Sequence, residues 1–101
     1  MLSDKTDAEI IQELGDRLRQ YRLQRNITQA ELAERTGLHL NTVKHAELGH
    51  DPQLTTVVKM LRGLNRLEAL DAFLPPPMMS PLQLAKMKKK KRQRARRVAN
   101  G

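Results

Sequence analysis

The stretch Thr28–Glu47, TQAELAERTGLHLNTVKHAE, leaves this chain few folds to choose from. Thr28 is a good helix N-cap, and Glu31 three positions later completes a capping-box pattern. Gln29, Ala30, Glu31, Leu32, Ala33 and Glu34 are strong helix formers. Gly37 stands where that helix must end, and glycine accepts the left-handed conformation that a C-cap demands. A second helix, about Leu40–Leu48, begins at once. Leu32, Ala33, Leu38, Val43 and Ala46 give the two helices an apolar side, whereas Leu40, Asn41, Lys44 and His45 fall on a different side of the second. Two short helices, a tight turn and an outward polar face describe a helix-turn-helix.

The segments TQAELAERTGL, NTVKHAELG and DPQLTTVVKMLRGLN together resemble the Cro/lambda-repressor (Xre) class of bacterial DNA-binding domains. The shared pattern is T-Q-x-x-L-A-x-x-x-G, then a β-branched residue, then E-x-G. It covers about fifty residues. His39 stands at the N-cap of the second helix, where the family usually has Ser or Thr. Leu40 occupies the first exposed recognition position, which is usually polar. The resemblance implies a five-helix, lambda-repressor-like, all-α domain. It also implies an ion pair between Arg22, late in the first helix, and Glu47, at the end of the recognition helix.

The flanking chain fits such a domain. Thr6 or Asp7 can cap a first helix running to about Gln24 or Arg25. In it Ile10, Leu14, Leu18 and Tyr21 form one stripe at spacings of three and four. Gly15 inside this helix costs about 1 kcal/mol relative to Ala, which suggests a close neighbour there. Gly49-His50-Asp51-Pro52 reads as a loop. A fourth helix, about Leu54–Leu64, is expected to bury Leu54, Val57, Val58, Leu61 and Leu64. A fifth, Leu67–Phe73, offers Leu67, Leu70, Phe73 and Leu74. The domain therefore covers residues 7–74, with a Pro-rich spacer over 75–81 and a basic tail over 82–101. Ser80-Pro81 could cap a final helix. The tail lacks an amphipathic face, and its low complexity predicts a flexible, disordered segment.

Charge is distributed unevenly. The formal net charge is +8, yet residues 1–85 carry ten Lys/Arg against eleven Asp/Glu, a net of −1. The other nine positive charges all lie in Lys86–Arg97, with no acid among them. Such a run could touch DNA phosphates, an acidic protein surface or an RNA. With two aromatic residues, Tyr21 and Phe73, the core must be built from Leu, Ile, Val and Ala. There is no cysteine, hence no disulfide or thiolate-metal site. His39, His45 and His50 lack paired ligand spacing, so no metal and no cofactor is expected. No phosphate loop, nucleophile elbow or H-E-x-x-H motif points to an enzyme. No apolar run reaches membrane-spanning length and the acidic start is unlike a signal peptide, which makes a cytoplasmic, nucleoid-associated setting the simplest reading.

A recognition helix reads base edges in the major groove from its first half. Here the candidates are His39, Leu40, Asn41, Thr42, Lys44 and His45. Asn41 suits a bidentate pair with adenine. Lys44 can donate to guanine or to phosphate, and His45 can do either according to tautomer. Leu40 can pack on a thymine methyl. Gln29, with the free amides at the start of its helix, can hold a phosphate. The expected partners are double-stranded operator DNA and a second copy of the chain. The segment FLPPPMMSPLQLAKMKKKKRQRAR further resembles the C-terminal extension of HipB-like antitoxins, encoded beside HipA-like Ser/Thr kinases. That resemblance implies autoregulation of a toxin–antitoxin operon and a kinase toxin, or its companion subunit, as partner. Two other readings stay open: an interaction protein that inhibits the kinase, with DNA binding secondary, and a nucleic-acid chaperone acting through the tail alone.

Overall fold

The structure is a computed structural model that describes the backbone of residues 1–99 and the side chains of residues 1–90. Among the described residues it is all-helical, with no strand. A short 3-10 turn over Leu2–Asp4 precedes six α-helices: α1 (Asp7–Gln24), α2 (Gln29–Thr36), α3 (Leu40–Glu47), α4 (Leu54–Gly63), α5 (Glu68–Phe73) and α6 (Pro81–Ala99).

Local signals set the helix ends. Thr6 caps α1 and Thr28 caps α2. Each hydroxyl accepts from the amide of the Glu three residues on, and each Glu carboxylate accepts from the cap amide in return. The Thr6 hydroxyl also donates to Glu9, and these bonds hold the Glu9 carboxyl below the usual carboxylate range. Asn26 (φ 59°) turns the chain between α1 and α2, and Gly37 (φ 75°) ends α2 in the left-handed region. Thr36 closes the same turn by donating to the Leu32 carbonyl at 2.8 Å and accepting from the Leu38 amide at 3.3 Å.

The core is small and aliphatic. Leu32, Val43, Met60 and Leu64 are fully buried where α2, α3 and α4 meet, and Leu18, Ile27, Ala33, Ala46 and Leu61 complete the cluster. Arg66 lies over the Tyr21 ring at 5.2 Å and ties the start of the last part of the domain to α1. Gly15 marks the close approach suspected from its helical position. A Cβ there would lie 2.6 Å from the Ala46 carbonyl oxygen, so α1 and the end of α3 meet backbone to backbone.

Three expectations need correction. Leu54 is not buried; it is exposed at the first position of α4, while Thr56 and Met60 turn inward instead. The buried face of α4 is thus Thr56, Met60 and Leu61, continued by Leu64 at the C-cap, a stripe offset from the one that apolarity suggested. Val57 and Val58 are half-buried. The described residues form six α-helices rather than five, because the segment read as a flexible tail forms α6. Its cause is local. The Ser80 hydroxyl accepts from the Gln83 amide, the Gln83 side chain accepts from the Ser80 amide, and Pro81 occupies the first helical position. Lys, Arg, Gln, Leu, Met and Ala then continue the helix, whose described side chains, through Lys90, are all exposed. Asn100 and Gly101, the end of the expected tail, lie outside the described residues.

Candidate nucleic-acid interface

Helix α3 is held from behind by charge. The Arg22 guanidinium, from α1, donates from Nε to Glu47 Oε2 at 2.7 Å and from Nη2 to Oε1 at 3.0 Å. Its Nη1 donates to the Ile27 carbonyl at 2.9 Å. Gln29 adds a third donor to Glu47, from Nε2 to Oε1 at 3.1 Å. The Arg22 and Glu47 side chains are 8% and 2% exposed. One buried carboxylate therefore joins α1, α2 and the end of α3, and every buried side-chain polar atom among the described residues has a partner.

This anchoring decides which side of α3 faces out. Val43, Ala46 and Glu47 are buried, whereas Leu40, Asn41, Lys44 and His45 are exposed and Thr42 is half-buried. His39 is exposed at the N-cap and makes no side-chain cap hydrogen bond, so the α3 amides that Ser or Thr would occupy are left to other acceptors. The His45 ring packs near His50, with centroids 5.3 Å apart. Among the described residues no group of three or more acidic or His side chains is placed to hold a metal.

Electrostatics favours a polyanion here. Within α3 the sole acid is Glu47, which is buried and neutralised by Arg22. The outward face thus presents Lys44, polar groups and the positive end of a helix dipole, with no carboxylate of its own helix. Asn41 and Lys44 project one turn apart on a helix whose 10–12 Å diameter fits the roughly 12 Å major groove.

Gln29 sits differently from the expectation drawn for it. It is half-buried and already donates to Glu47, so its side chain links the two helices of the motif. The backbone amides of Gln29 and Ala30 remain beyond the capping bonds, beside a shallow depression of about 370 Å³ lined by Asn26, Thr28 and Gln29. Leu48 was missed in the sequence. It is 59% exposed, three residues after His45 and four after Lys44, so it extends the outward face by one apolar side chain. Helical spacing alone would have found it.

An all-helical domain with a rigidly backed, outward-facing second helix defines a DNA-binding helix-turn-helix protein. The family model described as Helix-turn-helix matches residues 18–69, about half of the chain, and the chain belongs to that family. It is of the Cro/lambda-repressor (Xre) type, a DNA-binding transcription regulator. Comparison with curated proteins finds none that matches the chain. No helix of the described residues is long and apolar enough to cross a membrane.

Proposed function

We propose that this chain is a sequence-specific transcriptional repressor that controls its own toxin–antitoxin operon as a HipB-like component. It acts by binding rather than by catalysis, and in the cytoplasm. The observation that carries the DNA-reading part is the outward face of α3, which is rigidly backed by the Arg22–Glu47 pair and free of exposed carboxylate. His39, Leu40, Asn41, Thr42, Lys44 and His45 read the major groove, and the backbone amides of Gln29 and Ala30 position a phosphate while the Gln29 side chain stays on Glu47. Asn41→Ala and Lys44→Ala should each weaken binding to the operator by about 1–3 kcal/mol and binding to random DNA by less. Band-shift titrations on both DNAs measure this. Equal losses on the two would show that these side chains touch only phosphate.

The operon-level part rests on the likeness of the C-terminal extension to HipB-like antitoxins. Band shifts with and without the neighbouring gene product test it. If that product is not a HipA-like kinase or its companion subunit, the toxin–antitoxin role is wrong.

The working form on this reading is a homodimer. Helices α1, α4 and α5 leave an apolar groove of about 670 Å³, lined by Ile10, Leu14, Leu54, Leu70 and Phe73 among others. Phe73 is 60% exposed and Leu74 77% exposed, which is costly apolar surface for an isolated small domain. A second copy related by two-fold symmetry covers such a patch and matches a two-fold operator. Phe73→Glu should yield monomers and weaken operator binding. Sedimentation that still reports the parent mass would place the interface elsewhere.

A further inference from the structure

Over its described side chains helix α6 contributes nothing to the core, yet its sequence carries the whole positive excess of the chain. Pro81–Lys90 is exposed at every residue. The nine Lys/Arg of residues 86–97 are joined there by three uncharged residues, Met87, Gln93 and Ala95, and by no acid. The remainder of the chain, residues 1–85, has a net charge of −1, so the body offers no general attraction for a polyanion.

We propose that α6 is a second DNA-binding element, which enters a groove of the duplex beside the site read by α3 and neutralises phosphates on both groove walls. This rests on reading the chain as a DNA-binding protein and assigns a role to a helix outside the matched domain.

The helical geometry selects the ligand. Lys88, Lys89 and Lys90 are consecutive, so their bearings around the helix differ by about 100° each. Three exposed charges so placed surround the axis and do not form one face. A protein surface meets a helix from one side and would leave much of this charge unmatched. A DNA groove meets it from two sides, because phosphates line both walls, and a helix about 10–12 Å across fits the major groove. The run lacks an apolar stripe, which a hydrophobic partner groove or a membrane surface would require.

The helix also gains by binding. Lys86 and Lys90 are four residues apart, and like charges at that spacing destabilise an isolated helix. Phosphates relieve this repulsion. The connection to the domain suits such a role. Leu74–Ser80 runs without regular structure and contains three successive prolines, Pro75–Pro77. Seven residues at about 3.1 Å each give a stiff reach of roughly 20 Å, enough to place α6 outside the footprint of the domain.

The test uses the full chain with Lys86, Lys88, Lys89 and Lys90 all replaced by Gln, and a matched variant with all four replaced by Arg. Affinity for operator and for random duplex is measured between 50 and 200 mM salt. For every phosphate that is no longer neutralised, the slope of log affinity against log salt should flatten by about 0.9. The glutamine variant should therefore lose roughly 2–4 units of slope on both DNAs while keeping its preference for the operator, and the arginine variant should keep the parent slope. An unchanged slope in the glutamine variant overturns the proposal. So does a variant that keeps its DNA slope but no longer binds poly-glutamate, since that result assigns α6 to an acidic protein. Asn41→Ala, measured in parallel, separates the two readings. If it leaves the operator preference intact, the assignment of α3 fails, whereas the slope still reports on α6.

Discussion

Glu47→Ala should lower stability by about 3–5 kcal/mol, a larger loss than any substitution on the outward face of α3 should cause. The reason lies in what it leaves behind. Arg22 is 8% exposed, and two of its three hydrogen bonds end on Glu47. Without the carboxylate, a guanidinium stays buried with only the Ile27 carbonyl as partner, and Gln29 loses its acceptor as well. For a domain of this size the loss corresponds to a fall in melting temperature of about 12 °C or more. The pair itself is not a large net source of stability, because both charges were taken out of water to form it. Replacing both partners with apolar residues, Arg22→Met with Glu47→Leu, should therefore recover much of the loss. The double variant should still bind operator less well, since the angle of α3 would no longer be set by directional bonds. Thermal melts of both proteins decide the matter, and an unchanged melting curve for Glu47→Ala would mean that the two side chains are independent.

Gly15→Val should cost about 3 kcal/mol and should weaken operator binding beyond what unfolding explains. In an isolated helix, replacing this glycine would help, since glycine is about 1 kcal/mol worse than alanine in a helix interior. Here the sign reverses. A Cβ would meet the Ala46 carbonyl oxygen at 2.6 Å, the Glu47 carbonyl oxygen at 2.9 Å and the Gly49 nitrogen at 3.0 Å. All three are backbone atoms, which cannot rotate away as a side chain can. Gly49 completes the contact from the other side: its φ is +76°, and a Cβ on it would lie 2.6 Å from Gln12 Cα. The two glycines form a bare seam that seats the end of α3 on α1. A larger residue in the seam must push α3 outward and carry Asn41 and Lys44 with it. Gly15→Ala, the milder change, should show the same direction in both measurements. A melting temperature raised by Gly15→Ala would show that the seam opens freely and that α3 is not held there.

Most of the framework was legible from local chemistry. Thr6 with Glu9, Thr28 with Glu31, and Gly37 mark helix ends through bonds made within a few residues, and such bonds depend little on the rest of the fold. The burial of Leu32, Val43 and Ala46 followed from spacing alone. The resemblance to the Cro/lambda-repressor class also implied a link between Arg22 and Glu47, which spacing could not have supplied across 25 residues.

Other features were decided only when the helices met. Leu54 and Met60 are both apolar positions of α4, and periodicity does not say which side faces inward. Contact with α2 and α3 chose Thr56 and Met60 and left Leu54 in solvent. Gln29 looked like a free phosphate ligand because the nearness of Glu47 is not written in the intervening sequence. For α6 the sequence itself held both signals, a cap at Ser80 and an unpackable basic run, and the weight of the second obscured the first. Sequence thus determined where helices begin and end, since capping and propensity act over three or four residues. Tertiary structure determined which faces are buried, how closely α1 approaches α3 and where the recognition helix points, because these depend on contacts between residues distant in the chain.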